Sequence, residues 1–213
     1  MAALVENMFY VSNEMNDRFV PWHGLGTAVE EAPTSKDAIR LAGLDWNVDS
    51  RKIYDSLGNE IPGFIANTRD TDNSVLGIVT NKYRIVQNSE AFEFTDSLLD
   101  EGVTYETAGS LKNGRTVWLL AKMPLIKILD DDFDPYICFM NTHDGTGSIR
   151  VCMTPIRVVC NNTLNLALNS AKRAWSTCHM GNMQEKLSEA KHTLGLANNY
   201  MNALTEEAGR LAD

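Results

Sequence analysis

Four cations, Arg150, Arg157, Lys172 and Arg173, share the stretch from Tyr136 to Met180 with a single acid, Asp144. Four against one makes that stretch +3 in a chain of net charge −9, so the remainder carries −12. Cations that track a phosphate backbone, with an aromatic ring to stack a base, are what binding to a single strand requires. Trp175 supplies the ring. Asn161 and Asn162 supply amides where a helix is expected to start, and a helix N-terminus itself favours a phosphate. Lys112 and Arg115 flank Asn113-Gly114, a hairpin turn able to reach over such a groove. The competing explanation is that buried strands hold few acids and that each arginine pairs with a carboxylate of its own chain.

Other chemistries find less support. Cys160 precedes Asn161-Asn162 at an expected strand-to-helix junction, where a thiol becomes acidic and nucleophilic. His143 and His179 are the available bases, but no spacing ties them to it, and a packed structural cysteine is the better reading. The histidines His23, His143, His179 and His192 are scattered, and no Cys-His spacing suits zinc. Asp130-Asp131-Asp132 reads as a solvated loop. Asp144-Gly145-Thr146-Gly147-Ser148 reads either as a phosphate-holding nest or as a plain hairpin turn; it lacks the Gly-Lys-Ser/Thr of a P-loop. No metal, cofactor or catalytic residue is expected.

The elements that must position these residues are legible as punctuation and periodicity. Residues 1–33 look irregular, with Trp22 and Leu25 expected to plug the arm onto the core. Thr34 or Ser35 caps a short helix with Ile39 and Leu41 inward, closed by Gly43. Alternation over 46–49 and 51–54 reads as strand, 61–68 returns after a Leu57-Gly58-Asn59 turn, and 75–79 reads as a buried strand. Tyr83 to Gln87 extends the last strand or enters the next element. A helix capped by Ser89 runs to about Leu99, and Val103 to Met123 is a hairpin. Strands follow at 136–140 and 149–153, with 156–160 continuing past Pro155. A helix is expected over 163–174.

From Leu187 the apolar residues Leu187, Ala190, Leu194, Ala197, Met201, Leu204, Ala208 and Leu211 are spaced alternately 3 and 4 apart, a heptad seam. It suits self-association or a long helix laid on its own domain. Gly195 weakens it by about 1 kcal/mol. The expectation is an α+β fold: an antiparallel strand meander with hairpins, packed helices and a long C-terminal heptad-type helix. Residues 1–180 form one domain with an irregular N-terminal arm. Residues 181–213 form the helix, whose repeat is still running at Asp213, as in a chain that continues.

Composition sets outer bounds. A chain of 213 residues, 44% hydrophobic and 22% charged, can bury a sizeable core. Nothing approaches the ~18 apolar residues of a membrane span, and Met1 to Val11 lacks the basic start of a secretory leader. The cysteines Cys138, Cys152, Cys160 and Cys178 show no disulfide framework, so a reduced, cytoplasmic setting in a bacterial host is expected.

Thr154-Pro155-Ile156-Arg157-Val158-Val159-Cys160-Asn161-Asn162-Thr163-Leu164, preceded by His143-Asp144-Gly145, resembles the signature of phage/plasmid-like proteins grouped as a domain of unknown function, number 932. Pro21 to Gly26 resembles the opening motif of that family. Tyr83 to Asn88 with Ala91-Phe92 resembles its middle motif. The resemblance spans about Met8 to Leu204 and implies a mobile-element setting. Phages and plasmids also carry Rad52-like single-strand annealing proteins, which the expected architecture resembles more distantly. The function expected is therefore single-stranded nucleic-acid binding or annealing, DNA favoured, by a ring- or filament-forming oligomer in recombination or replication. The alternative is a protein-interaction or assembly module of a mobile element, such as a host-defence antagonist.

Overall fold

The computed structural model describes residues 5–12, 25–30, 33–98, 104–123, 126–128, 131–158, 160–171 and 173–193. In chain order the elements are β1 (Val5–Val11), β2 (Thr27–Val29), α1 (Ser35–Leu41), β3 (Val48–Tyr54), β4 (Glu60–Arg69), β5 (Val75–Thr80) and α2 (Asn88–Leu98). Then come β6 (Thr104–Leu111), β7 (Thr116–Lys122), β8 (Ile126–Ile128), β9 (Asp131–Phe133), β10 (Tyr136–Thr142), β11 (Ile149–Thr154), α3 (Asn161–Ser170) and β12 (Arg173–Thr177). A last helix, α4, covers 183–193. The main sheet has the order β12-β11-β10-β7-β6-β1-β2, antiparallel except for the β1–β2 pair. A three-stranded antiparallel sheet, β3-β4-β5, stands apart from it. This is the expected α+β class with mostly antiparallel pairing.

The main sheet is covered on both faces, which is why its central strands are apolar throughout rather than alternating. In β7, Val117, Leu119 and Ala121 join one core while Trp118 and Leu120 join the other. The first core also takes Ala38 and Ala42 from the α1 region, Phe92 and Phe94 from α2, Leu76 from β5 and Leu187 and Ala190 from α4. The second takes Leu164, Ala167 and Leu168 from α3. Cys138 and Cys152 lie directly opposite each other on β10 and β11 within that second core.

Several sequence expectations are corrected. The N-terminal stretch is not irregular throughout. Val5–Val11 is an inner strand, with Met8 and Tyr10 in one core and Phe9 and Val11 in the other. A strand buried on both faces shows no alternation, so its pattern was silent. Leu25 is half exposed and plugs nothing; Trp22 lies outside the described residues. In α1, Ile39 and Leu41 do pack against the first core, although Ala38 is the most buried position. Thr34 does cap it, accepting from the Asp37 N–H at 3.3 Å. Residues 156–158 do not resume the strand, and α3 ends at Ser170. The stretch expected as its last turn is instead β12, with Val151 paired to Trp175 and Met153 to Arg173. The open side of β11 was a nonlocal attraction that helical periodicity could not register. The β6–β7 turn is longer than a two-residue Asn-Gly turn: Leu111 pairs with Thr116, and Lys112, Asn113 and Gly114 all have positive φ.

In α4, Leu187 and Ala190 are buried on the chain's own core. For these two seam positions the helix lies on its own domain, and it is described over 183–193. The seam from Leu194 onward, with Gly195, lies outside the described residues.

Close backbone approach locks the small sheet to the main one. A Cβ added at Gly77 of β5 would sit 2.4 Å from Asp144 Cα and 2.9 Å from its carbonyl oxygen. Both are backbone atoms that cannot swing aside. Gly77→Ala is therefore expected to lower stability by about 2 kcal/mol, as overpacking does, read as a shifted urea midpoint with an unchanged m-value.

Candidate functional site

The nine residues that the sequence singled out do not form one groove. Leu111, Thr116, Thr142, Ile149 and Thr177 mark one end of the main sheet, here called the loop end. Thr104, Lys122, Tyr136 and Thr154 mark the other. Lys112 and Arg115 are exposed at the loop end. The chain leaves the sheet after Thr154 at the opposite end on its way to Arg157, Asn161 and Asn162, which begin α3.

Arg150 is half-buried and turned onto α3. Its Nη2 donates to the Leu168 carbonyl at 2.9 Å and to Asn169 Oδ1 at 3.4 Å, satisfying the carbonyl end of that helix. Arg157 Nη2 lies 2.6 Å from Glu106 Oε1 and donates to the Val11 carbonyl at 3.2 Å. Both guanidiniums are thus engaged within the chain. Trp175 is 8% exposed, and its indole is part of the first core rather than a displayed stacking surface. Arg173 stands in β12, and Lys172 lies outside the described residues. Asn162 is exposed and Asn161 partly so.

The loop end holds a polar cluster that the charge pattern did not reveal. His143 is fully buried. Its carbonyl accepts from Asn67 Nδ2 at 2.8 Å, and its backbone N–H donates to the Arg115 carbonyl at 2.8 Å. Its Nε2 lies 3.1 Å from Asn88 Oδ1. The Asn88 amide already donates to the Leu44 and Trp46 carbonyls, so its oxygen accepts and His143 carries its proton on Nε2. Trp46 meets the imidazole edge-on, with centroids 5.5 Å apart. Burial, reinforced by nearby His179, pushes the His143 imidazole down to about 3.

His179 is tied in through the segment 83–88. Its Nδ1 donates to the Arg84 carbonyl at 2.9 Å, and its ring stacks on Tyr83 at 4.4 Å. The Tyr83 hydroxyl donates to the Thr142 carbonyl, and Asn141 Nδ2 donates to the Val86 carbonyl at 3.0 Å. Burial lowers the His179 pKa as well, although the Arg84 carbonyl opposes it. Asn67 Oδ1, Asn141 Oδ1, Thr142 Oγ1, His143 Nδ1 and His179 Nε2 have no partner among the described residues. Interior acceptors of this kind are ordinarily matched by buried water. The cluster joins both sheets and the 83–88 segment, and its neutral imidazoles are closed off from solvent. An asparagine in the apolar run Ile65-Ala66-Asn67 was the sequence signal for it.

Beside this cluster, Arg69 Nη1 and Nη2 grip Glu6 Oε1 and Oε2 at 2.7 and 2.9 Å, and Nη2 also donates to the Asn113 carbonyl at 2.9 Å. The guanidinium lies 4.8 Å over the Trp46 ring. The Asp144 loop is a self-closed turn: its carboxylate accepts from Thr146 N–H at 2.9 Å and from the Thr146 hydroxyl at 2.7 Å. With the Thr146 N–H engaged by this carboxylate, the loop is not an open phosphate nest.

Cys160 lies beyond the end of the sheet opposite to both histidines. Burial raises its pKa, but hydrogen bonds from Thr163 and Asn162 outweigh that and leave the thiol below its ordinary value. With neither His143 nor His179 beside it, the thiol forms no dyad with either of the two bases that the sequence offered. Among the described residues, no three or more His, Cys, Asp or Glu side chains converge as a metal site. Among the same residues, no helix is long and apolar enough to cross a membrane.

No curated protein and no solved structure matches this chain. Residues 75–213 match the family model described as "Domain of unknown function (DUF932)", which takes in β5, the 83–88 segment, most of the main sheet and α3. With well over half of its length so matched, the chain belongs to that family.

Proposed function

We propose that this protein binds polynucleotides, single-stranded DNA above all, as an oligomer serving recombination or replication of a phage or plasmid. The observation that carries the reading is the set of cations left exposed at the loop end. Lys112 and Arg115 project from the β6–β7 turn, and Lys82 and Arg84 flank Tyr83. The two pairs are neighbours, because the Tyr83 hydroxyl reaches the Thr142 carbonyl and the Arg115 carbonyl receives the next N–H, that of His143. No ion pair holds any of the four among the described residues. Phosphate contacts therefore fall to this rim rather than to Arg150 and Arg157. The mobile-element setting rests on the resemblance to phage/plasmid-like proteins, and annealing on the more distant likeness to Rad52-like architecture. No covalent step is required.

Salt dependence separates a working cation from a structural one. Lys112→Ala/Arg115→Ala is expected to weaken single-strand binding and to flatten the log K against log salt slope by about 1.4, from two lost contacts at about 0.7 each. Arg150→Ala/Arg157→Ala is expected to lower stability and leave that slope alone. Anisotropy titrations of a labelled oligonucleotide at several salt concentrations read both. An unchanged slope in the first variant would remove the rim as the binding surface.

A further inference from the structure

Cys138 and Cys152 face each other across the β10–β11 ladder. Residues opposite each other on antiparallel strands turn their side chains to the same face. Here that face is the second core, where the two thiols are 0% and 1% exposed and α3 covers them. They form a directed chain. The Cys138 S–H donates to the Cys152 sulfur, and the Cys152 S–H donates to the Ala167 carbonyl of α3 at 3.8 Å. The bond from Cys138 holds the Cys152 thiol below its ordinary pKa against the cost of burial, and the Arg150 charge helps. The same bond, together with burial, pushes the Cys138 thiol up. Cys152 is thus the thiol that more readily becomes a nucleophile, with Cys138 held beside it to resolve an oxidised product. The other two free thiols lie elsewhere: Cys160 at the start of α3, and Cys178 exposed beyond β12.

Two thiols so placed close into a disulfide with a small motion. Cβ atoms of opposite residues lie about 4.5–5.5 Å apart, and a disulfide wants about 3.5–4.5 Å. Closure draws β10 toward β11, and the strain keeps the bond easily reduced. We propose that Cys138 and Cys152 are a reversible oxidation site, which a small hydroperoxide converts to a disulfide tying β10 to β11. The Cys152 thiolate attacks the peroxide, the O–O bond breaks, sulfur becomes a sulfenic acid and one water leaves. The Cys138 sulfur then attacks the Cys152 sulfur; the S–S bond forms, the S–O bond breaks and a second water leaves. Two thiols and one hydrogen peroxide give one disulfide and two waters. A small dithiol reverses the step, returning two hydrogens and becoming a disulfide itself. α3 controls access, because it lies over both sulfurs and must lift before peroxide reaches them. The bridge takes the thiol donor from the Ala167 carbonyl and braces the hairpin that carries His143 and the Asp144 loop. This site is remote from the cationic rim and does not rest on polynucleotide binding.

Peptide mapping of the whole folded chain after timed exposure to hydrogen peroxide tests it. Free thiols are alkylated once the protein has been unfolded, and the digest is compared with and without dithiothreitol. The wild type is expected to yield a peptide pair linked through Cys138 and Cys152 that dithiothreitol separates. Cys138→Ala is expected to give no link and to leave Cys152 as a sulfenic acid that dimedone labels. Leu168→Ala, still folded by circular dichroism, is expected to form the link about tenfold faster, because α3 then opens more often. An unchanged rate in that variant removes α3 as the gate. As a second measurement, the linking rate in the wild type is set against its unfolding rate. A link that forms no faster than the chain unfolds overturns the proposal. So do thiols at 138 and 152 that stay free after exposed Cys178 is fully oxidised, a link to Cys160 instead, or a Cys152 oxidised beyond recovery by dithiothreitol.

Discussion

As pH falls from 6.5 to about 4, the folded protein is expected to lose stability, at a rate that rises toward about 1.4 kcal/mol for each unit of acidification from one buried histidine. The cause is His143. Its imidazole is fully buried, its one donor is committed to Asn88, and burial holds it at about 3 against an ordinary 6.5. Below pH 6.5 the unfolded chain takes up a proton that the folded chain refuses. The unfolded state then binds more protons, and stability falls as pH falls. The contribution is whole above pH 6.5 and is exhausted only near the folded value. Other groups close by modulate it: His179 and Arg69 push the imidazole the same way and Asp144 opposes them. His179, itself depressed, adds to the loss. Asp55, Asp70 and Asp72 also have lowered values, from hydrogen bonds with Asn59, Asn47 and Ser74, but carboxylates of ordinary value 3.8 act only toward the acid end of this window. Unfolding free energies from urea titrations at pH 7 and pH 4.5 should differ by about 2.7 kcal/mol. His143→Gln, which can still donate to Asn88, should be less stable at pH 7 but lose about 2.7 kcal/mol less on acidification. A wild type with a flat profile across that window would show that His143 takes its proton in the folded state.

Removing Glu6 is expected to destabilise the protein by about 2–3 kcal/mol. Breaking a buried pair costs about 3–5 kcal/mol, because the remaining charge is stranded, but water softens that here since Glu6 is 29% exposed. The stranded group would be Arg69, whose side chain is only 8% exposed and whose pKa is raised chiefly by its bond to Glu6. Asp72 at 3.7 Å is too far from it, and too exposed, to replace the lost partner. Arg69 also closes the β6–β7 turn through the Asn113 carbonyl and covers Trp46, so Glu6→Ala should loosen the turn that carries Lys112 and Arg115. In Glu6→Ala/Arg69→Met no charge is stranded, and an apolar chain still covers Trp46. The double variant should therefore be more stable than Glu6→Ala alone, with a coupling energy of about 1 kcal/mol or more in a double-mutant cycle. Strict additivity of the two substitutions would mean that the pair is not coupled.

How much of this was legible beforehand depends on the range of the interactions. Short-range signals read well. Thr34 caps α1, Gly43 with positive φ follows it, Asn113-Gly114 sits in a hairpin turn, and the unbroken run of β7 lies buried on both sides. Each is dictated within a few residues by backbone sterics or by a local hydrogen bond. Sheet edges and buried strands did not read. Val5–Val11 became a strand because β6 lies beside it, and 173–177 became one because β11 had an open side.

The acid-poor segment from Tyr136 to Met180 shows the division most plainly. Sequence alone determined its charge, its family motif and the class of fold that contains it. Tertiary structure decided what the charges do. Arg157 meets Glu106 and Val11, and Arg150 meets the end of α3, so both cations serve the interior. These partners stand far from them in the chain, and a one-dimensional pattern carries no distance between such groups. The same limit hid the rim at Lys112 and Arg115, which differs from an ordinary turn only in what the fold leaves uncovered. Exposure is a property of packing, and packing is settled by contacts between segments that the sequence lists apart.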